Sequence, residues 1–168
     1  FDNDGDFDSF TVNHAWANRL MENNGDGTFT DIIAGSGINE GDLGAWNCDA
    51  GDFDNNGFVD IFSQMGTELY LNNGDGTFTP MQLSFNDGGI GDFNDDGFLD
   101  VIKNNTLWLN DGNENNWLKI GLEGIISNKD GIGARIEIYG GWGIQIREIR
   151  SGESFSPMSS LDEHFGLG

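Results

Sequence analysis

The sequence predicts an all-β protein: repeats of propeller-blade length, then a small antiparallel β domain. Three observations point there. An acidic loop occurs three times, with its last aspartate at Asp8, Asp60 and Asp100. A second motif, NNGDGTFT, alternates with it at Asn23–Thr30 and Asn72–Thr79. No long stretch shows the 3.6-residue apolar period of a helix, whereas the segments flanking both motifs alternate with a period of two. The repeat spacing, about 40 to 52 residues, suits a propeller blade or a similar β unit.

The elements follow in chain order. NHAWANRLMEN (Asn13–Asn23) is the nearest approach to a helix. Its end, RLMENNGDGTF, is parallel to LYLNNGDGTF, so it is read as strand. FVDIFSQ and FLDVIKN, after the second and third acidic loops, also read as strands. TELYLNNGDGTFTPM places alternating residues on both sides of Asn-Gly-Asp-Gly. That is a hairpin signal, since type I′ turns need positive φ at both central residues. LWLNDGNENNWL (Leu107–Leu118) is a degenerate copy. Beyond it, NWLKIGLEG, GARIEIYG and GIQIREIRSG alternate apolar residues and read as three strands of one small antiparallel domain. SNKDGIGAR (Ser127–Arg135) is Gly-rich with one Lys and one Arg, but no helical pattern follows to cradle a phosphate, so a plain hairpin turn is expected.

Composition limits the function classes. The net charge is -22, from 29 acids against seven bases in 168 residues. Residues 1–112 hold 21 of the acids and only two of the bases. The break near Asn110–Asn116 is read as a boundary between domains 1–112 and 113–168. So acidic a first part repels nucleic acid and anionic membranes and attracts cations. Thirteen Phe, five Trp and a 36% hydrophobic share are enough for a core and argue against disorder. No apolar run approaches the ~20 residues of a membrane span, so no membrane insertion is expected. The chain opens at Phe1 in mid-motif and is read as a fragment or a processed chain. Cys48 is alone and is expected to be a small buried hydrophobe. For the five Trp residues, core packing is preferred over a ligand-binding rim.

Aligned on Gly5, Gly57 and Gly97, the loops read D-x-D-x-D-G-x-x-D. The second supplies Asp52, Asp54, Asn56 and Asp60. The third supplies Asp92, Asn94, Asp96 and Asp100. The first supplies Asp2, Asp4 and Asp8, and its opening acid is expected to be cut off. Backbone carbonyls at position 7, on Asp6, Phe58 and Phe98, can add a ligand each. Oxygens at alternate positions around a Gly turn suit calcium, which takes ~6–8 oxygens at about 2.3–2.6 Å; magnesium prefers a tighter octahedron and keeps its waters. Without a cation, such carboxylates raise one another's pKa. Position 12 is Thr11, Ser63 or Lys103, so the bidentate acid of an EF-hand is missing and the flanks are strands. The competing explanation is a set of Asx turns, in which Asp and Asn bond their own backbone. Recurrence with the ninth Asp and apolar positions 2 and 8 favours the metal.

GDFDNNGFVDIF and GDFNDDGFLDVI resemble FG-GAP/VCBS-type repeats, the calcium-loop blades of integrin-alpha-like β-propellers. NNGDGTF resembles the accompanying hairpin. The resemblance covers about residues 1–112 and implies a partial β-propeller of about two and a half blades. NKDGIGARI and the final HFGLG are similar to the UnbV/ASPIC domain of cartilage-acidic-protein-like secreted proteins, over residues 116–168. That resemblance implies a further strand after FGLG, so the domain is expected to be C-terminally truncated here. Together they imply a calcium-binding extracellular, cell-surface or periplasmic adhesion module with a protein or glycan ligand.

Catalytic patterns are weak. His14 and His164 are expected to serve turns or packing. No context supports a triad with Ser154 or Ser156. A carboxylate pair in a propeller cleft of a polysaccharide-acting enzyme is the alternative, decided by distances that a sequence does not contain. A purely structural spacer is the third reading.

Overall fold

A computed structural model describes residues 1–13, 15–41, 46–63, 68–86, 88–126, 128–152 and 158–168. Among these every regular element is a strand. The first three, β1 (Ser9–Thr11), β2 (Arg19–Asn23) and β3 (Phe29–Asp31), form one antiparallel sheet in that order. A four-stranded antiparallel meander follows: β4 (Cys48–Gly51), β5 (Asp60–Ser63), β6 (Glu68–Asn72) and β7 (Phe78–Gln82). The third sheet holds β8 (Gly89–Gly91), β9 (Asp100–Lys103) and β10 (Thr106–Trp108). None of the sheets closes on itself. This is a partial propeller-like β fold, and the meander β4–β7 has the four strands of one blade.

Side-chain alternation places the central sheet between its neighbours. Ile61 and Tyr70 point into one cluster, with Leu20, Ile33, Ile38 and Phe78. Their chain neighbours Phe62 and Leu69 point into the other, with Phe53, Ile90, Leu99 and Val101. A period of two on adjacent strands thus covers both faces, and all four residues of β5 are buried. Each such large side chain contributes about 1.5–3 kcal/mol by leaving water.

The Asn-Gly hairpins differ from the expected type I′ turn. Asn72 pairs with Phe78, so five residues intervene, and Asn73 N–H donates to the Thr77 carbonyl at 2.9 Å. Positive φ falls on Gly74 (76°) and Gly76 (83°), not on two adjacent residues. The cause lies in the side chains: Asn72 Oδ1 accepts from Gly74 N–H and Asp75 Oδ1 from Thr77 N–H, so each carboxamide or carboxylate closes its own small turn.

The C-terminal strands also differ from a single three-stranded sheet. β11 (Trp117–Ile120) pairs with β14 (Glu163–Gly166), while β12 (Arg135–Gly140) and β13 (Gly143–Glu148) form a separate hairpin. The stretch 128–134 is a turn, as expected, but it lies between β11 and β12, which do not pair; Ser127 lies outside the described residues. The Trp expectation fails for Trp16 and Trp46, which are 74% and 59% exposed. Trp108 lies on the surface, stacked on Phe85 with ring centroids 4.5 Å apart. Cys48 is partly buried at the start of β4, its thiol pushed up to about 11 by burial.

Candidate metal centre

The three acidic loops share one backbone. At position 4, Asn3, Asn55 and Asp95 take φ of 61°, 57° and 58°, the left-handed region that Asn and Asp tolerate best. Gly5, Gly57 and Gly97 follow at φ 99°, 95° and 86°. Polar side chains hold this shape. In the second loop Asp52 Oδ1 accepts from Asn56 N–H at 3.1 Å and Oδ2 from Gly57 N–H at 2.9 Å. Asp54 Oδ1 accepts from Asn56 N–H, and Asn56 Oδ1 from Phe58 N–H. Asp92, Asn94 and Asp96 repeat the pattern in the third loop; Asp2 and Asp4 repeat its middle in the first. The loops are therefore built as Asx turns, and the bonds that form the turns also hold the side-chain oxygens at alternate positions.

The ninth residue ties the loop to its sheet. Asp60 accepts from Phe53 N–H at 2.8 Å and from Asn72 N–H at 2.7 Å, joining the loop entrance to the hairpin. Asp100 does so with Phe93 and Asn110. Asp8 takes Asn23 N–H and the α-amino group of Phe1. Asn23, Asn72 and Asn110 were not singled out by sequence, although each opens an NNG or NDG string. Their amides bond the position-8 carbonyls of Phe7, Val59 and Leu99. Asn72 and Asn110 also donate at 2.8 Å to Phe1 and Phe53 of the preceding repeat. Position 4 adds a second link, since Asn3 donates to the Gly57 carbonyl and Asn55 to that of Gly97.

The loops differ in environment. In the second, Asp52, Asp54 and Asp60 place ligand atoms within 4.8 Å of one another, the one such acid group found among the described residues. Burial pushes the Asp52 carboxyl up to about 7, against two N–H bonds and the nearby Arg147 charge. Burial pushes Asp60 up to about 8, with repulsion from Asp52 and Asp54 adding to it. Asp54 is raised as well, again by burial first. The first and third loops lie nearer the surface, with Asp2, Asp4, Asn94 and Asp96 exposed. The ring of position-7 Phe58 packs over Gly74 and that of Phe98 over Gly112, while Asp6 stands beside Gly25 in the first repeat.

The C-terminal strands lie against the same loops. Ile144 N–H donates to the Asn3 carbonyl at 2.7 Å and Gly168 N–H to the Asn55 carbonyl at 2.9 Å. A methyl group on Gly5, Gly57 or Gly97 would meet Ile144, Trp142 or Trp117 respectively. His164, buried on β14, puts Nε2 2.6 Å from Asn55 Oδ1, so Nε2 carries the proton and donates. Burial lowers its pKa to about 4, leaving it neutral. That is the packing role expected for it; His14, Ser154 and Ser156 lie outside the described residues. Asn113 and Asn115, in the segment between the two halves, donate to the Asp54 carbonyl at 2.6 and 2.9 Å.

Comparison with known families agrees with this geometry. The family model described as FG-GAP-like repeat matches residues 1–63, which include the first two loops. The model described as ASPIC and UnbV matches residues 124–168. The chain carries FG-GAP-like repeats followed by an UnbV/ASPIC segment. No curated protein matches it. FG-GAP repeats typify extracellular and cell-surface proteins, and residues 1–63 match that repeat. No helix among the described residues is long and apolar enough to cross a membrane.

Proposed function

We propose that this chain is a calcium-stabilised interaction module that works outside the cytoplasm, binding a protein or glycan rather than catalysing a reaction. The cluster of Asp52, Asp54 and Asp60 carries the calcium assignment. The donor set fits a large hard cation: Asp52, Asp54, Asn56 and Asp60 offer oxygen, the Phe58 carbonyl can add another, and the set contains no sulfur or imidazole. Two of the carboxyls are buried with their pKa values raised, a state that a divalent ion relieves. Calcium supplies charge neutralisation at the junction of loop, strand and hairpin, so binding free energy becomes folding free energy.

Asp2, Asp4, Asp8, Asp92, Asn94, Asp96 and Asp100, with the carbonyls of Asp6 and Phe98, are the corresponding candidates in the outer loops. For the ligand, a cleft between repeats and C-terminal strands is lined by both signs, among them Asp8, Asp92, Arg147 and Arg150.

Calcium titration of the chelator-stripped chain, followed by thermal melting, tests the assignment. With Kd near 10⁻⁴ M, about 1 mM calcium adds roughly 1.4 kcal/mol, or about 3–6 °C in Tm. Magnesium should do much less. A melting curve unmoved by millimolar calcium overturns the reading. Turnover of a polysaccharide panel that survives Asp60→Ala but not loss of a cleft acid would overturn the non-catalytic part.

A further inference from the structure

The second and third loops have the same donor inventory. Each offers three acids and one Asn at positions 1, 3, 5 and 9. Their surroundings separate them. Asp52 at position 1 accepts from the backbone N–H groups of Asn56 and Gly57. Its counterpart Asp92 keeps those bonds and also receives an ammonium. Lys119, on β11 of the C-terminal part, places Nζ 3.0 Å from Asp92 Oδ2 and 2.6 Å from Asp95 Oδ1. The Asp92 side chain is buried, 1% exposed, whereas that of Lys119 is 25% and that of Asp95 87% exposed, so the ammonium sits at the rim of the loop. A divalent ion on Asp92 and an ammonium on the same carboxylate would repel one another across a few ångströms, well inside the screening length of physiological salt.

We infer that Lys119 is the built-in cation of the third loop: the second loop takes the first calcium ion, and the third accepts one only when Lys119 leaves Asp92. This rests on the calcium reading proposed above. It gives calcium two effects. The first ion locks the central repeat. The second releases an anchor between β11 and the repeats, so the grip of the C-terminal part on the third loop depends on calcium level.

The experiment is a calorimetric calcium titration of the stripped 168-residue chain beside Lys119→Met and Asp95→Asn. Amine labelling of Lys119 is read by mass spectrometry, with the exposed Lys129 as internal control. Wild type is expected to show a tighter step and a weaker step at which Lys119 labelling rises; any step from the first loop leaves that labelling unchanged. Lys119→Met should strengthen the weaker step about tenfold or more, the scale of a lost charge-assisted bond, and leave the tighter step in place. Asp95→Asn removes the second anchor without touching an alternate-position ligand, and should shift the weaker step the same way by less; it serves if Lys119→Met does not fold. Titrations identical in all three chains, with constant labelling, overturn the Lys119 inference while the calcium reading stands. Absence of binding in every chain overturns the calcium reading and this inference with it.

Discussion

Removing metal should make this protein more stable in mild acid than at pH 8, and adding calcium should abolish that preference. The perturbation is a chelator combined with a pH series from about 5 to 8. Asp52 and Asp60 have carboxyls raised from 3.8 to about 7 and about 8 in the folded chain. Between 3.8 and those values the native state holds protons that the unfolded chain has released. Stability therefore falls as pH rises, by ~1.4 kcal/mol per pH unit for each proton so held. His164 opposes this. Its pKa is lowered from 6.5 to about 4, so unfolding takes up a proton between those values and stability rises with pH up to 6.5. From pH 5 to 6.5 two carboxyls act against one imidazole. From 6.5 to 8 the carboxyls act alone. The net is a loss on the order of 5 kcal/mol by pH 8, an upper figure because the two acids share one repulsion. Calcium needs deprotonated ligands, so it binds better as pH rises and should cancel or reverse the slope. Urea unfolding at four pH values, with chelator or about 1 mM calcium, measures it. Chelated protein that is equally stable or more stable at pH 8 refutes the buried-carboxylate account of the second loop.

Asn72→Ala removes donors to the Phe1 and Val59 carbonyls and the acceptor of Gly74 N–H, and should cost about 2–4 kcal/mol in urea unfolding. Asn73→Ala, exposed and bonded to Thr77 and Thr79 hydroxyls, should cost under about 1 kcal/mol. Gly97→Ala meets both an unfavourable φ of 86° and the Trp117 ring, so a loss of about 3 kcal/mol with a shift in Trp fluorescence is expected. Cys48, with its thiol raised from 9.0 to about 11, should react with a thiol reagent at pH 8 about a hundredfold more slowly than an ordinary cysteine.

Local features were legible in the sequence. The repeated loops, the period-two strands and the order of the two halves all rest on residues close in the chain. Asn3, Asn55 and Asp95 at position 4 were legible in principle too, since the left-handed region favours these residue types. Features that depend on distant partners were not. Asn72 lies 71 residues from Phe1 and Asn110 lies 57 from Phe53, and one sequence carries no sign of such pairings. The Asn-Gly strings suggested a two-residue turn because that dipeptide is its commonest cause, but the side chains of Asn72 and Asp75 lengthened it. Trp16 and Trp46 show the limit of average burial as a guide, since both lie between strands and are 74% and 59% exposed. Lys119 looked like any polar position on an alternating strand.

The charge split between the two halves has a structural reason. Arg135, Arg147 and Lys119, three of the bases in residues 113–168, face the acidic loops. Arg135 donates to the Gly5 carbonyl at 2.6 Å, the Arg147 charge acts on Asp52, and Lys119 pairs with Asp92. One base thus meets each loop, but through three different contacts: a carbonyl, a field and an ion pair. Of these three contacts, the ion pair takes up a carboxylate oxygen that a metal would use. Equal loops in sequence therefore become unequal sites once the C-terminal strands are laid over them. Evidence for that inequality should appear in binding stoichiometry before it appears in stability. Breaking the Lys119 pair changes what the third loop can hold, whereas Asp60 and its two N–H donors keep the second loop joined to its hairpin either way.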